Sequence, residues 1–342
     1  MTVCFKNINA ALFISFLTIL VFNHTCHAQD TALIKSSEKA GKPEIQWVGQ
    51  WPSIKSKSQK KEIKQQIKDL LIGKKKQELS RPVSVLAINQ NFFWILDQEN
   101  CSLFKVINDV GKIPHFIEKK KSNFSSLVGI CNFHNEILFT DSFSNKIFTI
   151  NSEKKGCAIL NDSLKLDKPT GIAYLPEKKE IWVVETGAHR ILILNEQGQI
   201  IKKIGSRGIA KGEFNFPTHI WIDKKGNVYV VDAMNFRIQV LNKDGEIISV
   251  FGSNGNSPGY FSSPKGIATD SYGHIYVSDA LFNVVQIFDI NGNFLYTFGS
   301  QGHEDGQFWM PSGIYIDSDD KIYVADSYNS RIQIFQLING DQ

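Results

Sequence analysis

Over residues 216–252 the apolar and alternating positions fall into four short runs, at 219–222, 228–231, 237–241 and 247–251, rich in β-branched and aromatic residues. Runs of this length and composition predict four strands. The segments between them are turn chemistry: Lys224, Lys225, Gly226 and Asn227, then Ala233, Met234 and Asn235, then Lys243, Asp244 and Gly245. Glycine, asparagine and aspartate supply the backbone angles that tight connections require. The unit predicted is a four-stranded antiparallel meander.

The pattern then repeats. Pro217, Pro264 and Pro311 recur every 47 residues, as do Asp232, Asp279 and Asp326, with Gly252 and Gly299 in step. A fixed period of this size predicts a repeat architecture. Earlier copies are degenerate but in register: Arg81 and Pro82 open the first, Asp97 and Asp141 close the second strands of the first two, and Glu185 replaces the aspartate in the third. Acidic residues at 97, 141, 185, 232, 279 and 326 mark six units. The fold expected is an all-β six-bladed β-propeller.

The last unit gives only three strands before the chain stops at Gln342, whereas an isolated strand pattern at 44–48 precedes all the repeats. An open ring would expose two sheet edges, so 44–48 is expected to close it as the outer strand of the last blade. Within 55–79, Ile63, Ile67, Leu70 and Leu71 stand at helical spacing, and Gly73 follows. This predicts one short amphipathic helix before blade 1, its aliphatic face covering an end or edge of the propeller and its lysines Lys60, Lys61, Lys64 and Lys68 solvated. Contact with an anionic membrane surface is the competing reading of those lysines.

The signatures P-x-G-I-A, G-x-I-Y-V-x-D, N-x-R-I-Q-V and F-G-S-x-G resemble the NHL repeat, most closely from the third unit onward. The chain as a whole resembles bacterial exported six-bladed NHL-type propellers. The resemblance implies the fold; a shared fold by itself assigns no activity.

Residues 1–28 read as a secretory signal, with Lys6, an apolar stretch over 10–22 and small residues ending at Ala28. The stretch is shorter than a membrane span needs. Cys26 as a lipidated first residue is the alternative. The domains expected are therefore the signal at 1–28, the closing strand and helix at 29–80, and the propeller at 81–342. Cleavage would place the protein outside the cytoplasm, in the periplasm or at the cell surface. A net charge of +4 and 42% hydrophobic residues fit a folded exported monomer and give no argument for nucleic acid. Membrane association would come only through Cys26 or the basic helix. Cys101, Cys131 and Cys157 lack metal or disulfide spacing and read as free thiols, although one bridged pair is compatible with the sequence.

Recurring residues are expected to serve the scaffold. The acid ending each second strand would accept backbone N–H bonds of the following turn. Arg190, Arg237 and Arg331, five residues later, would bridge neighbouring turns, and Phe214, Phe261 and Phe308 would plug the seams between blades. A functional site should break the repeat. Strand order puts the turns after the second strands and the connections between blades on one end of the ring. Its irregular positions are Phe143, His189, Met234, Phe236, Leu281, Phe282 and Tyr328, beside His303, Glu304 and Asp305. Bulky apolar groups with a polar rim there predict a protein or peptide site, the competing reading being that several of them fold inward over the channel mouth.

The alternative is a metal-dependent lyase or hydrolase working at the channel. In the related peptidylglycine amidating lyase, three histidines hold zinc. His189 resembles one of them, but the other two places carry Thr170, Thr218, Lys265 or Ser312, and His219 lies one residue off. One ligand does not make a zinc site. Asn89, Asp223, Asp270 and Asp317 could supply channel oxygens, the aspartates being repeat positions with a turn role. No cofactor or metal is expected.

Overall fold

The computed structural model describes residues 44–52, 79–89, 91–107, 115–117, 124–151 and 157–338. The expected signal segment, Cys26 and the amphipathic helix lie outside the described residues.

Strand β1 is Glu44–Trp51. Blade 1 is β2 Pro82–Asn89, β3 Phe92–Asp97, β4 Ser102–Ile107 and β5 His115–Ile117; blade 2 is β6 Leu127–Phe133, β7 Glu136–Asp141, β8 Lys146–Asn151 and β9 Cys157–Ile159. Blade 3 is β10 Pro169–Leu175, β11 Glu180–Glu185, β12 Arg190–Asn195 and β13 Ile200–Ile204; blade 4 is β14 Pro217–Ile222, β15 Val228–Asp232, β16 Arg237–Leu241 and β17 Ile247–Phe251. Blade 5 is β18 Pro264–Thr269, β19 Ile275–Asp279, β20 Val284–Phe288 and β21 Phe294–Phe298; blade 6 is β22 Pro311–Ile316, β23 Lys321–Asp326 and β24 Arg331–Ile338.

Each blade is one four-stranded antiparallel sheet, and the sixth is completed by β1, which pairs with β24. The ring is closed by the N-terminal strand, as the missing fourth strand required. The strand runs three residues past 48, because a bulge between Trp47 and Gly49 re-aims the chain and lets Trp51 enter the core. Trp51 then packs among Leu79, Phe93, Phe104 and Tyr323.

Apolar residues of each blade meet those of the next, so the core is divided among the seams rather than placed at the centre. Phe214 lies in the cluster shared by blades 3 and 4, Phe261 in that of blades 4 and 5, and Phe308 in that of blades 5 and 6. All three are fully buried. Each ring lies against a glycine: a Cβ on Gly205, Gly252 or Gly299 would come within 2.4 Å of it, and all three glycines have positive φ.

The inner strands approach one another so closely that a glycine is needed at the third position of P-x-G-I-A. A Cβ on Gly266 would lie 2.7 Å from the Ile314 nitrogen, and one on Gly171 2.7 Å from that of Ile220. Second-strand hydroxyls bind the same junctions: Thr140 donates to the Thr170 carbonyl at 2.6 Å, and Ser278 to that of Ser312. Blade 4 departs from this, with His219 where the glycine stands and Trp221 where blades 3 and 5 have alanine. There Trp221 Nε1 reaches across to Thr269 Oγ1 at 2.9 Å instead.

Cys101 and Cys131 are buried, Cys157 is half-buried, and all three thiols are free.

Candidate functional site

The end of the ring bearing the second-strand turns and the inter-blade connections is held by the repeated acid, in a manner that depends on its partner. In blades 4 and 6, Arg237 and Arg331 donate from Nε to Asp232 and Asp326, each at 2.8 Å, and in blade 3 Arg190 donates to Glu185 at 2.5 Å. There the acid's backbone bonds come from the connection before the blade, at Asp167, Asn215 and Trp309. Blades 1, 2 and 5 lack the arginine, and Asp97, Asp141 and Asp279 also accept N–H groups of the following turn. The expected turn-capping role thus holds in half the blades; elsewhere arginine takes the second oxygen. Arg237 also grips the carbonyls of Ile209, Ala210 and Glu213, and Arg331 those of Glu304 and Gln307. Arg331 further donates to Gln50 Oε1 of the closing strand at 2.7 Å.

Four residues after each acid the chain turns left-handed, at Cys101, Asn145, His189, Phe236, Asn283 and Ser330, with φ between 47° and 57°. From there a side chain can reach the entry to the next blade. Asn145 accepts the Lys168 N–H, Asn283 that of Met310, and His189 Nδ1 that of Phe216 at 3.1 Å. His189 is therefore buried and does the work of an asparagine, with its ring 4.3 Å from that of Phe216. This corrects its expected surface placement. Phe236 has no polar atom to offer; it is half-buried and packs on the core shared by blades 4 and 5. Phe282 is half-buried as well.

The remaining candidates are on the surface. Phe143 is 78% exposed, Met234 54%, Leu281 58% and Tyr328 53%. His303, Glu304 and Asp305 are exposed too. Trp309, which the sequence reading passed over, is 41% exposed and joins them. Its ring lies 5.8 Å from that of Tyr328 and 5.0 Å from that of His303, whose Nδ1 is 2.6 Å from Asn329 Oδ1. Trp309 stands two residues before its proline, where blades 3, 4 and 5 have Asp167, Asn215 and Ser262. The rule of looking for broken repetition would have found it.

The channel is lined by the inner strands and contains a cavity of about 150 Å³ walled in part by Cys131, Tyr174, His219, Trp221 and Tyr315. Burial pushes the His219 imidazole down to about 4, so it is neutral, and burial pushes the Cys131 thiol up. Asp223, Asp270 and Asp317 are committed to their turns, each accepting two backbone N–H bonds and the hydroxyl of Tyr229, Tyr276 or Tyr323. No three His, Cys, Asp or Glu side chains converge as metal ligands among the described residues.

Residues 308–335 match the NHL repeat model, and residues 160–241 match a family described as 6-bladed beta-propeller. The chain is a six-bladed β-propeller with an NHL repeat at residues 308–335. No curated protein matches its sequence. Among solved structures, this NHL propeller resembles an auxiliary nutrient binding protein from Bacteroides thetaiotaomicron, with TM-score 0.61 and 14% identity over 76% of this chain and 70% of that one. It also resembles virginiamycin B lyase from Staphylococcus aureus, with TM-score 0.56 and 18% identity over 77% and 97%. A chain of a nidogen/laminin complex gives TM-score 0.54 and 18% identity over 71% and 84%. At these identities the likeness shows the fold of the NHL propeller and leaves its role to the site.

Proposed function

We propose that this NHL propeller is an exported binding scaffold that holds a protein or peptide on the end carrying its second-strand turns and connections. The observation that supports this is the exposure of Met234, Leu281, Trp309 and Tyr328, each more than two-fifths in water, on consecutive blades. A turn requires only permissive backbone at these places, and exposed apolar groups recurring around one end of the ring favour association. Aromatic anchors beside polar groups such as His303, Glu304 and Asp305 are what protein interfaces use. The arginine and aspartate clamps below hold the backbone in place, which lowers the ordering cost of binding.

Two of the similar propellers support a binding role, one described as nutrient binding and one found in a complex of two proteins. Binding is the reading preferred to a lyase or hydrolase because Asp223, Asp270 and Asp317 are engaged in their turns, and His219 is the one histidine lining the channel cavity among the described residues. Export follows from the signal pattern at 1–28, and a mature protein beginning after Ala28, or at a lipidated Cys26, would establish it by mass spectrometry.

The test is Met234→Ser, Leu281→Ser, Trp309→Ser and Tyr328→Ser together. Since these side chains are already about half in water, the melting temperature should move by no more than about 5 °C. Capture of the native partner from an envelope extract should be lost; undiminished capture would place the site elsewhere.

A further inference from the structure

The apolar arc occupies a part of that end whose one exposed charge among the described residues is Lys265, next to the proline that pairs with Asp279. The turns at 233–236, 280–283 and 327–330 and the connection at 253–263 contain no Asp, Glu, Lys or Arg. Charges of opposite sign flank it. Beside Trp309 and Tyr328 the connection from blade 5 to blade 6 presents exposed Glu304 and Asp305; before Met234 the connection from blade 3 to blade 4 presents exposed Arg207 and Lys211. Glu213, in that same connection, turns back to accept the Ala210 N–H at 3.0 Å. None of the four flanking side chains makes an ion pair or hydrogen bond among the described residues, while the acids and arginines of the clamps beneath are paired.

Glu304 and Asp305, adjacent along the chain and unpaired, repel each other, and Arg207 and Lys211 are two like charges without partners in a single connection. A partner with the complementary order of charges would gain from both pairs and from the apolar groups between them. At blade 6 the match is more specific, because the Trp309 and Tyr328 rings offer a π surface, Trp309 in the same connection as the two carboxylates and against His303, the residue before them, which suits arginine or lysine.

We propose that the occupant is an extended peptide segment of a protein partner, with apolar residues over Met234, Leu281, Trp309 and Tyr328, a basic residue at blade 6 and an acidic residue at the connection from blade 3 to blade 4. This rests on the reading of the arc as the binding surface. Both signs of charge on the rim disfavour a uniformly anionic polymer such as nucleic acid.

The experiment is selection of displayed random dodecapeptides against three proteins: the wild type, the fourfold serine variant, and Glu304→Lys with Asp305→Lys. The lysine variant should fold, since only the backbone carbonyl of Glu304 serves the clamp. Peptides enriched on the wild type should carry Lys or Arg at one end of an aromatic or aliphatic core and Asp or Glu at the other. They should fail on the serine variant and bind the lysine variant about tenfold more weakly, and selection on the lysine variant should exchange the basic end for an acidic one. Enriched peptides that need the arc but show no charge order, or the same order on the lysine variant, would overturn the proposed occupant and leave the arc as a binding surface. Peptides that still bind the serine variant, or no enrichment on the wild type, would overturn both.

Discussion

Closing the ring with β1 is the feature on which the fold depends most sharply, and it can be broken at two side chains. Trp51 is 6% exposed, edge-on to Phe93 at 6.3 Å and tilted against Phe104 at 6.5 Å. Ile45, 9% exposed, sits in a different cluster with Phe335 and Leu337. Truncating a buried tryptophan to alanine costs about 3–5 kcal/mol and an isoleucine about 2–5 kcal/mol. The two sites share no cluster, so the costs should nearly add, to about 5–10 kcal/mol. That is comparable with the whole stability of a typical domain, about 5–15 kcal/mol. Trp51→Ala with Ile45→Ala should therefore unfold at far lower urea by far-ultraviolet circular dichroism, lose amide protection along β24, and aggregate as that edge is bared. A monomeric double variant within about 1 kcal/mol of wild type would refute the closing role.

Two further substitutions probe the inner ring. Gly266→Ala places a Cβ 2.7 Å from the backbone of blade 6 and should destabilise by about 1–3 kcal/mol, whereas Gly49→Ala meets nothing within 4 Å and should stay within about 0.5 kcal/mol; equal effects in urea titrations would contradict the close approach. His219 is neutral in the fold, with its value depressed from 6.5 to about 4, so the unfolded chain binds more protons between those values. Stability from this group is complete above pH 6.5 and lost as pH falls toward 4, by about 2 kcal/mol after allowing for its partial exposure. His219→Gln should flatten that part of the curve, and parallel curves for the two proteins would refute the assignment.

The six blades, the closing strand and the seam phenylalanines were legible because each follows from period and alternation, which one sequence displays. What was less legible depended on through-space partners. That His189 would accept a backbone N–H required knowing that its residue turns left-handed, as Asn145 and Asn283 do, and that Phe216 of the next blade lies within reach. Phe236 and Phe282 looked as free as Met234 and Leu281 in sequence, because neighbouring positions in a short turn differ in exposure by where one backbone angle sends them. The division of the acids into two bonding patterns was readable in principle, since it tracks whether arginine stands five residues on.

Positions that break the repeat fall into two groups, and their chemistry separates them. In the inner strands, His219, Trp221 and Tyr315 replace small residues and fill space, with the Trp221 and Tyr315 rings 5.3 Å apart. A bulky group there removes volume from the channel and is stabilised by what it touches. On the outer turns, Met234, Leu281 and Tyr328 share a position that is Glu99, Phe143 and Gly187 in the other blades, and Trp309 stands where blades 3, 4 and 5 have Asp167, Asn215 and Ser262; all four leave their surface in water. Burial cannot account for these, because the hydrophobic gain is proportional to area withdrawn from solvent and about half of theirs remains. The groups that the fold leaves unburied are those to which a partner can add most, and they stand over connections that Arg237 and Arg331 already hold. Through Gln50 the same Arg331 is tied to the closing strand, so the bonds that finish the ring also fix the backbone beneath Glu304 and Trp309.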